Sequence, residues 1–157
     1  MSPSFSALQA TRQHLVLQLV YFDEQYPNFS DTYLSGFIGS DRAGVERKIR
    51  LYNDTLADLL AQNDTELAER LQSLVLIGSQ VKVHYEEDGY EESFTVVYPT
   101  ESDPDKNRIS FLSPFGRELL CAPPGRSLTV DVPNGKLPIA VRETRFAYIG
   151  GFSTESM

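Results

Sequence analysis

The sequence predicts an α+β protein, with an antiparallel helical hairpin at residues 1–73 and a small β-rich domain with one short helix at residues 74–150. Two observations predict this class. In the first half, apolar residues recur every three or four positions, which is the spacing of one helix face. After Leu74, short stretches of alternating apolar and polar residues are separated by turns rich in Gly and Pro, a pattern typical of strands. Residues 151–157 are expected to form a disordered tail.

The hairpin prediction depends on two amphipathic segments, residues 5–26 and 43–62. Pro27 is expected to end the first, because proline disfavours helical geometry in the residue before it. Coiled-coil-like spacing marks both seams. They are Leu15, Leu19, Phe22 and Tyr26 in the first helix, and Val45, Ile49, Tyr52, Leu56 and Leu59 in the second. The first helix is also apolar off its seam, so it either lies against the second domain or forms a self-association surface.

A third, shorter helix is expected at residues 63–71, where Asp64 or Thr65 can cap the first turn. The β-rich part then divides into five strands and a helix. The helix follows the third strand and is opened by Ser113-Pro114, because proline suits the first turn of a helix. The expected strands are residues 80–85, 93–98, 108–112, 127–132 and 137–145, and the expected helix is residues 115–120.

Composition narrows the function. The net charge of −8 argues against a direct, sequence-independent grip on nucleic acid, although an acidic protein can bind a basic surface of another protein. The longest apolar run, residues 15–22, is far short of the roughly 20 residues that span a bilayer. No signal-peptide pattern opens the chain, and its single cysteine, Cys121, is expected to be a buried thiol. These features predict a cytoplasmic protein with no membrane contact.

Four motifs follow one another in the second half of the chain. They are IGSQV at residues 77–81, ESDPD at 101–105 with RIS at 108–110, SPFGRELL at 113–120, and VPNG at 132–135. In this order they resemble the C-terminal domain of the bacterial GreA/GreB transcription factors. Lys136 stands where that family has a second glycine. The resemblance implies an FKBP-like fold for this domain.

The same resemblance implies a partner and a surface. In the family, the acidic loop and the segment that opens with Ser-Pro lie where the domain docks on RNA polymerase, beside its secondary channel. The residues at the matching positions are therefore expected to bind the partner, whereas Leu119 and Leu120 are expected in the core. The expected partner-binding residues are Asp103, Asp105, Ser113, Pro114, Phe115 and Arg117.

The hairpin tip departs from the family. There, a D-L-S-E motif carries two carboxylates that help to hold a second Mg²⁺ at the active site of the polymerase, an ion that prefers oxygen ligands. The nearest match here is residues 28–31, in which Asn28 replaces the aspartate and Asp31 replaces the glutamate. Asp31 is thus the one expected Mg²⁺ ligand, in the context of the polymerase only. Other candidate tip carboxylates are Asp23, Glu24 and Asp41.

These points predict an RNA polymerase-binding regulator of transcription elongation that is not itself an enzyme. It would be a monomer or weak dimer, without sequence-specific contact to nucleic acid and without a cofactor of its own. Whether it stimulates transcript cleavage stays open, because the tip is altered and the hairpin is shorter than in the family; Rnk-like regulators dock without supplying cleavage ligands. Two alternatives are a self-associating interaction module and an FKBP-type prolyl isomerase.

Overall fold

The computed structural model describes residues 5–123 and 125–147, which form a helical part followed by a β-rich part. They divide into two compact units, one that extends to Ala68 and one that begins at Glu69. The predicted α+β class is confirmed. The predicted domain bounds, residues 1–73 and 74–150, stay a prediction, and the predicted tail at residues 151–157 lies outside the described residues. No helix in the described ranges is long and apolar enough to cross a membrane.

The first unit is built on two long antiparallel helices, α1 (Phe5–Glu24) and α3 (Gly39–Leu60). All five seam residues of α3 are buried, as predicted. Each large apolar side chain removed from water contributes about 1.5–3 kcal/mol to folding. Contacts between the two helices show that they run in opposite directions. The hydroxyl of Tyr52 in α3 donates to Oε1 of Gln18 in α1. Near the other end, Arg12 of α1 meets Asp64 at 3.0 Å.

The buried stripe of α1 differs from the predicted one. Leu15 and Phe22 are buried, whereas Leu19 and Tyr26 are only half-buried. His14, Gln18 and Tyr21 are buried instead. The buried face of α1 is therefore rotated from the predicted seam, and it includes two polar residues. Three apolar residues of α1 remain substantially exposed: Val16, Leu17 and Val20.

Pro27 does not end the helical path, contrary to the prediction. A short helix, α2 (Tyr26–Phe29), is separated from α1 by Gln25 alone. It has Pro27 in its first turn, where the missing N–H has no helical partner to lose. A π-helical turn, Ser30–Leu34, continues it. The second long helix begins four residues earlier than predicted, at Gly39.

The cap of α4 (Asp64–Leu71) is also different from the predicted one. Oδ1 of Asn63, rather than Asp64 or Thr65, accepts from the backbone N–H of Glu66 at 2.9 Å. The side-chain amide of Asn63 in turn donates to the Glu66 carboxylate at 2.8 Å. This exchange satisfies a backbone N–H that the first helical turn leaves without a partner.

The second unit is a five-stranded sheet with one short helix, as predicted. Its strands lie in the order β3-β2-β1-β5-β4, and every neighbouring pair is antiparallel except β2 and β3. Helix α5 follows β3. The bounds are β1 Ser79–Tyr85, β2 Glu91–Val97, β3 Arg108–Ser110, α5 Pro114–Leu119, β4 Ser127–Val132 and β5 Gly135–Phe146.

Helix α5 covers one face of this sheet. Phe94 of β2 is in register with buried Val81 of β1, and its ring meets the ring of Phe115 at 5.1 Å. Leu119 and Leu120 are buried, as predicted. Cys121 is half-buried rather than buried, in a turn where its φ is 69°. The opposite sheet face carries several polar side chains, among them Gln80, Lys82 and Thr95.

Candidate functional site: the α5 surface and the hairpin tip

The acidic loop before β3 is shaped by Asp103. Its carboxylate accepts from the backbone N–H of Asp105 at 3.1 Å, and its main chain exchanges two 3.0 Å hydrogen bonds with Arg108. The loop closes through Asn107, which has a positive φ of 52°. Asp103 is half-buried, so it builds the loop, whereas Asp105 is exposed. The two predicted binding residues therefore differ in their local roles.

Ser113 caps α5. Its hydroxyl oxygen accepts from the N–H of Gly116 at 3.0 Å, and the hydroxyl donates to the carbonyl of Ser110 at 2.7 Å. Pro114, the first helical residue, is exposed. Ser113 thus fixes where α5 begins, and Pro114 is displayed to solvent by that cap.

Phe115 and Arg117 are both half-buried. Phe115 packs against Phe94, and part of its side chain remains accessible to a partner. The three-residue strand β3 separates the acidic loop from α5. The structure therefore places all six predicted partner-binding residues on the segments that flank this strand, with Asp105, Pro114 and part of Phe115 exposed.

Sequence reasoning missed Gly116. It is buried in α5, and a Cβ at this position would lie 2.1 Å from the carbonyl oxygen of Ser110. The helix can approach β3 this closely only because the side chain is absent. A glycine inside a predicted helix was the available signal, since glycine costs helix stability and usually has a packing reason.

The hairpin turn lies beyond the segment that resembles the family tip. Residues 28–31 occupy α2 and the π-helical turn, whereas the chain reverses at residues 35–38. Phe29 is 1% exposed, and its ring lies 5.2–6.3 Å from the rings of four neighbouring aromatic residues. Its position is therefore set by the core. At the turn itself, Ile38 is 78% exposed.

The four candidate tip carboxylates are exposed but dispersed. Asp23 and Glu24 end α1, Asp31 lies in the π-helical turn, and Asp41 lies in the first turn of α3. Within residues 5–123 and 125–147, no three His, Cys, Asp or Glu side chains are grouped closely enough to hold a metal ion. Asn28 is engaged locally, since its amide donates to Gln25 at 3.0 Å.

A cation, Arg42, lies in the first turn of α3 near the hairpin turn. The guanidinium of Arg42 donates to the carbonyl of Leu34 at 3.0 Å and to the hydroxyl of Ser30 at 2.7 Å, and it pairs with Glu46 at 3.5 Å. Arg42 therefore ties the start of α3 to the π-helical turn. Sequence reasoning missed this residue, because no spacing rule singles out one arginine in a charged helix.

A helical unit followed by a five-stranded unit with α5 after its third strand is the arrangement expected of a GreA-like accessory factor. Residues 71–145 match the family model described as "Transcription elongation factor, GreA/GreB, C-term". The C-terminal domain of the chain, residues 71–145, therefore belongs to the GreA/GreB family.

Curated relatives agree with that family. The chain is 39% identical over 106 residues to transcription elongation factor GreA of Chloroflexus aggregans, a match that covers 66% of this chain and 64% of the relative. It is 33% identical over 108 residues to GreA of Caldanaerobacter subterraneus, covering 68% and 66%. The matches thus span slightly less than two thirds of either relative. The relatives' names favour neither a prolyl isomerase nor a self-associating module.

Two solved structures are also similar to the chain. A GreA/GreB elongation factor from Nitrosomonas europaea is 27% identical, with a TM-score of 0.45, over 66% of this chain and 93% of that one. GreA factor homolog 1 of Thermus thermophilus is 20% identical, with a TM-score of 0.43, over 90% and 94%.

Proposed function

We propose that this protein is an accessory factor that binds RNA polymerase and regulates transcription elongation. The observation that carries the proposal is the family match over residues 71–145, which contains the acidic loop, β3 and α5. Docking would occur through the α5 surface, defined as the exposed parts of Asp105, Pro114, Phe115 and Arg117. Asp103 and Ser113 would act by positioning these residues.

The hairpin would approach the polymerase channel without delivering paired carboxylates. Asn28 replaces one acid of the family motif, and Arg42 places a positive charge between Ser30 and Leu34. Of the two carboxylates in the family's tip motif, only the glutamate has an acidic counterpart in this chain, which is Asp31. A single carboxylate supplies half of the negative charge of that motif. The factor would therefore regulate by occupying the secondary channel of the polymerase. It would act in the cytoplasm and would hold no metal or cofactor of its own.

Binding to immobilised core RNA polymerase tests the docking proposal. Pro114→Asp places a charge on the exposed first residue of α5 and should weaken binding at least tenfold, while thermal unfolding stays unchanged. Tyr90→Asp is the matched control, since Tyr90 is 60% exposed in the same unit, and it should bind within twofold of the wild type. A wild-type protein that fails to bind the polymerase contradicts the proposal.

A further inference from the structure

The sheet face opposite α5 carries a cluster of basic residues, which we call the cationic face: Lys82 of β1, Arg108 of β3, and Arg142 and Arg145 of β5. Strand register brings them together, because Lys82 pairs with Glu143 and Gln80 with Arg145. The residue opposite Gln80 on β2 is Thr95, which is in turn opposite Arg108. Arg142 joins the cluster because the β1–β5 register shifts between Lys82 and Val83.

The positive charges of this face are weakly neutralised. Lys82 and Glu143 are 3.7 Å apart, and Arg142 and Glu91 are 3.8 Å apart, both near the limit of an ion pair and both exposed. Exposed pairs of this kind contribute little to stability.

The other two arginines have no carboxylate partner among the described residues. Arg145 donates through Nε to Oε1 of Gln80 at 2.9 Å. Four cations thus face two carboxylates, in a chain whose net charge is −8.

An open depression of about 450 Å³ lies on this face. It is lined by three cations, one carboxylate and several neutral hydrogen-bonding side chains: Lys82, Arg142, Arg145, Glu143, Gln72, Gln80, Ser93 and Thr144. Arginine guanidinium groups bind carboxylates in a two-pronged geometry, and amide and hydroxyl groups can complete the hydrogen bonds. The depression therefore suits a chain segment that presents carboxylates.

We propose that the cationic face is a second docking surface, which binds a carboxylate-bearing segment of the polymerase protein; this inference rests on the proposed function. Charge complementarity selects the occupant. Glu91 and Glu143 are interleaved with the cations, a mixed pattern that complements a protein surface better than a uniformly anionic phosphate backbone. The net charge of −8 further opposes nucleic acid. Because α5 covers the other sheet face, the two surfaces can be altered separately.

Charge reversal measured on core polymerase free of DNA and RNA tests this surface. Arg145→Glu should weaken binding at least fivefold, whereas Glu143→Lys, which removes a 74% exposed carboxylate, should strengthen it. Arg126→Glu is the matched control, because Arg126 is exposed in the same unit outside this face, and it should bind within twofold of the wild type. Circular dichroism melting verifies that each variant is folded.

The outcomes separate the two proposals. Wild-type binding that is lost in Pro114→Asp but unchanged in Arg145→Glu overturns the second surface and leaves the first. An Arg145→Glu effect that appears only on polymerase carrying nucleic acid assigns the face to phosphates and also overturns the inference. A dimer in sedimentation that Arg145→Glu dissociates assigns the face to a second copy, with the same consequence. Absence of wild-type binding rejects the proposed function itself.

Discussion

His14 is a buried histidine in a helix whose spacing predicted only apolar contacts. Burial lowers its pKa from 6.5 to about 4, because charging the ring would require solvation that the core cannot supply. Below pH 6.5 the unfolded chain takes up a proton at this position, while the folded chain remains neutral down to about pH 4. The free energy of unfolding therefore falls as the pH falls through this window.

We expect the contribution of His14 to lower the free energy of unfolding by about 2 kcal/mol when the pH falls from 7 to 5. Urea unfolding at a series of pH values measures this slope. His14→Leu should abolish most of it, since leucine fills a similar volume and does not titrate. The carboxylates titrate in both proteins, so the difference between the two slopes isolates His14. Equal slopes would show that the ring is accessible to protons in the folded state.

Glycine is needed at position 116 because α5 packs closely against the backbone of Ser110 there. Gly116→Val should lower the free energy of unfolding by about 2 kcal/mol or more, because the new Cβ would overlap backbone atoms. Gly44→Val, in the second turn of α3, is the control: apart from the backbone of the helix itself, the only atom within 4 Å of a Cβ there is a flexible Arg47 nitrogen at 3.8 Å. Its effect should be within about 0.5 kcal/mol, since valine and glycine differ little in helix propensity. Thermal or urea unfolding compares the pair.

At the scale of elements, the hairpin tip is held by Arg42 rather than by apolar packing alone. Arg42→Ala removes the hydrogen bonds to Leu34 and Ser30, and each is worth about 1 kcal/mol. Amides of residues 30–38 should then exchange with solvent several-fold faster in hydrogen-exchange mass spectrometry. Arg47→Ala, one and a half turns further along α3 at an exposed position, should leave these amides unchanged. Equal exchange rates in the two variants would show that Arg42 does not stabilise the π-helical turn.

At the scale of the whole molecule, the altered tip and the family domain give opposite expectations for transcript cleavage. We predict weak stimulation of cleavage on a backtracked polymerase, and less than a twofold change on Asp31→Ala, because a single carboxylate is a poor second-metal ligand set. Gel analysis of the shortened transcripts measures both proteins. Strong stimulation of cleavage by the wild type that is abolished in Asp31→Ala would contradict this prediction. It would show that the protein has the family's usual cleavage activity.

Local patterns predicted much of this molecule correctly. The seam of α3, the five strands and the helix after β3 each depend on short-range periodicity or turn chemistry, which the chain displays directly. The cap of α4 was assigned to Asp64 or Thr65, one or two residues beyond Asn63, because several polar residues compete for one N–H. Pro27 was misread for a similar reason, since a proline in the sequence can either stop a helix or occupy the first turn of one.

Local sequence patterns were sufficient to predict the fold class, the order of the long helices and strands, and the family resemblance, because these follow from periodicity and from motifs within about 70 residues of chain. The folded structure was needed to show that residues 28–31 precede the hairpin turn, that Arg42 bridges it, and that four cations share one sheet face. Those features join residues that are distant in sequence or set by strand register, and register arises from packing across the sheet rather than from any single strand.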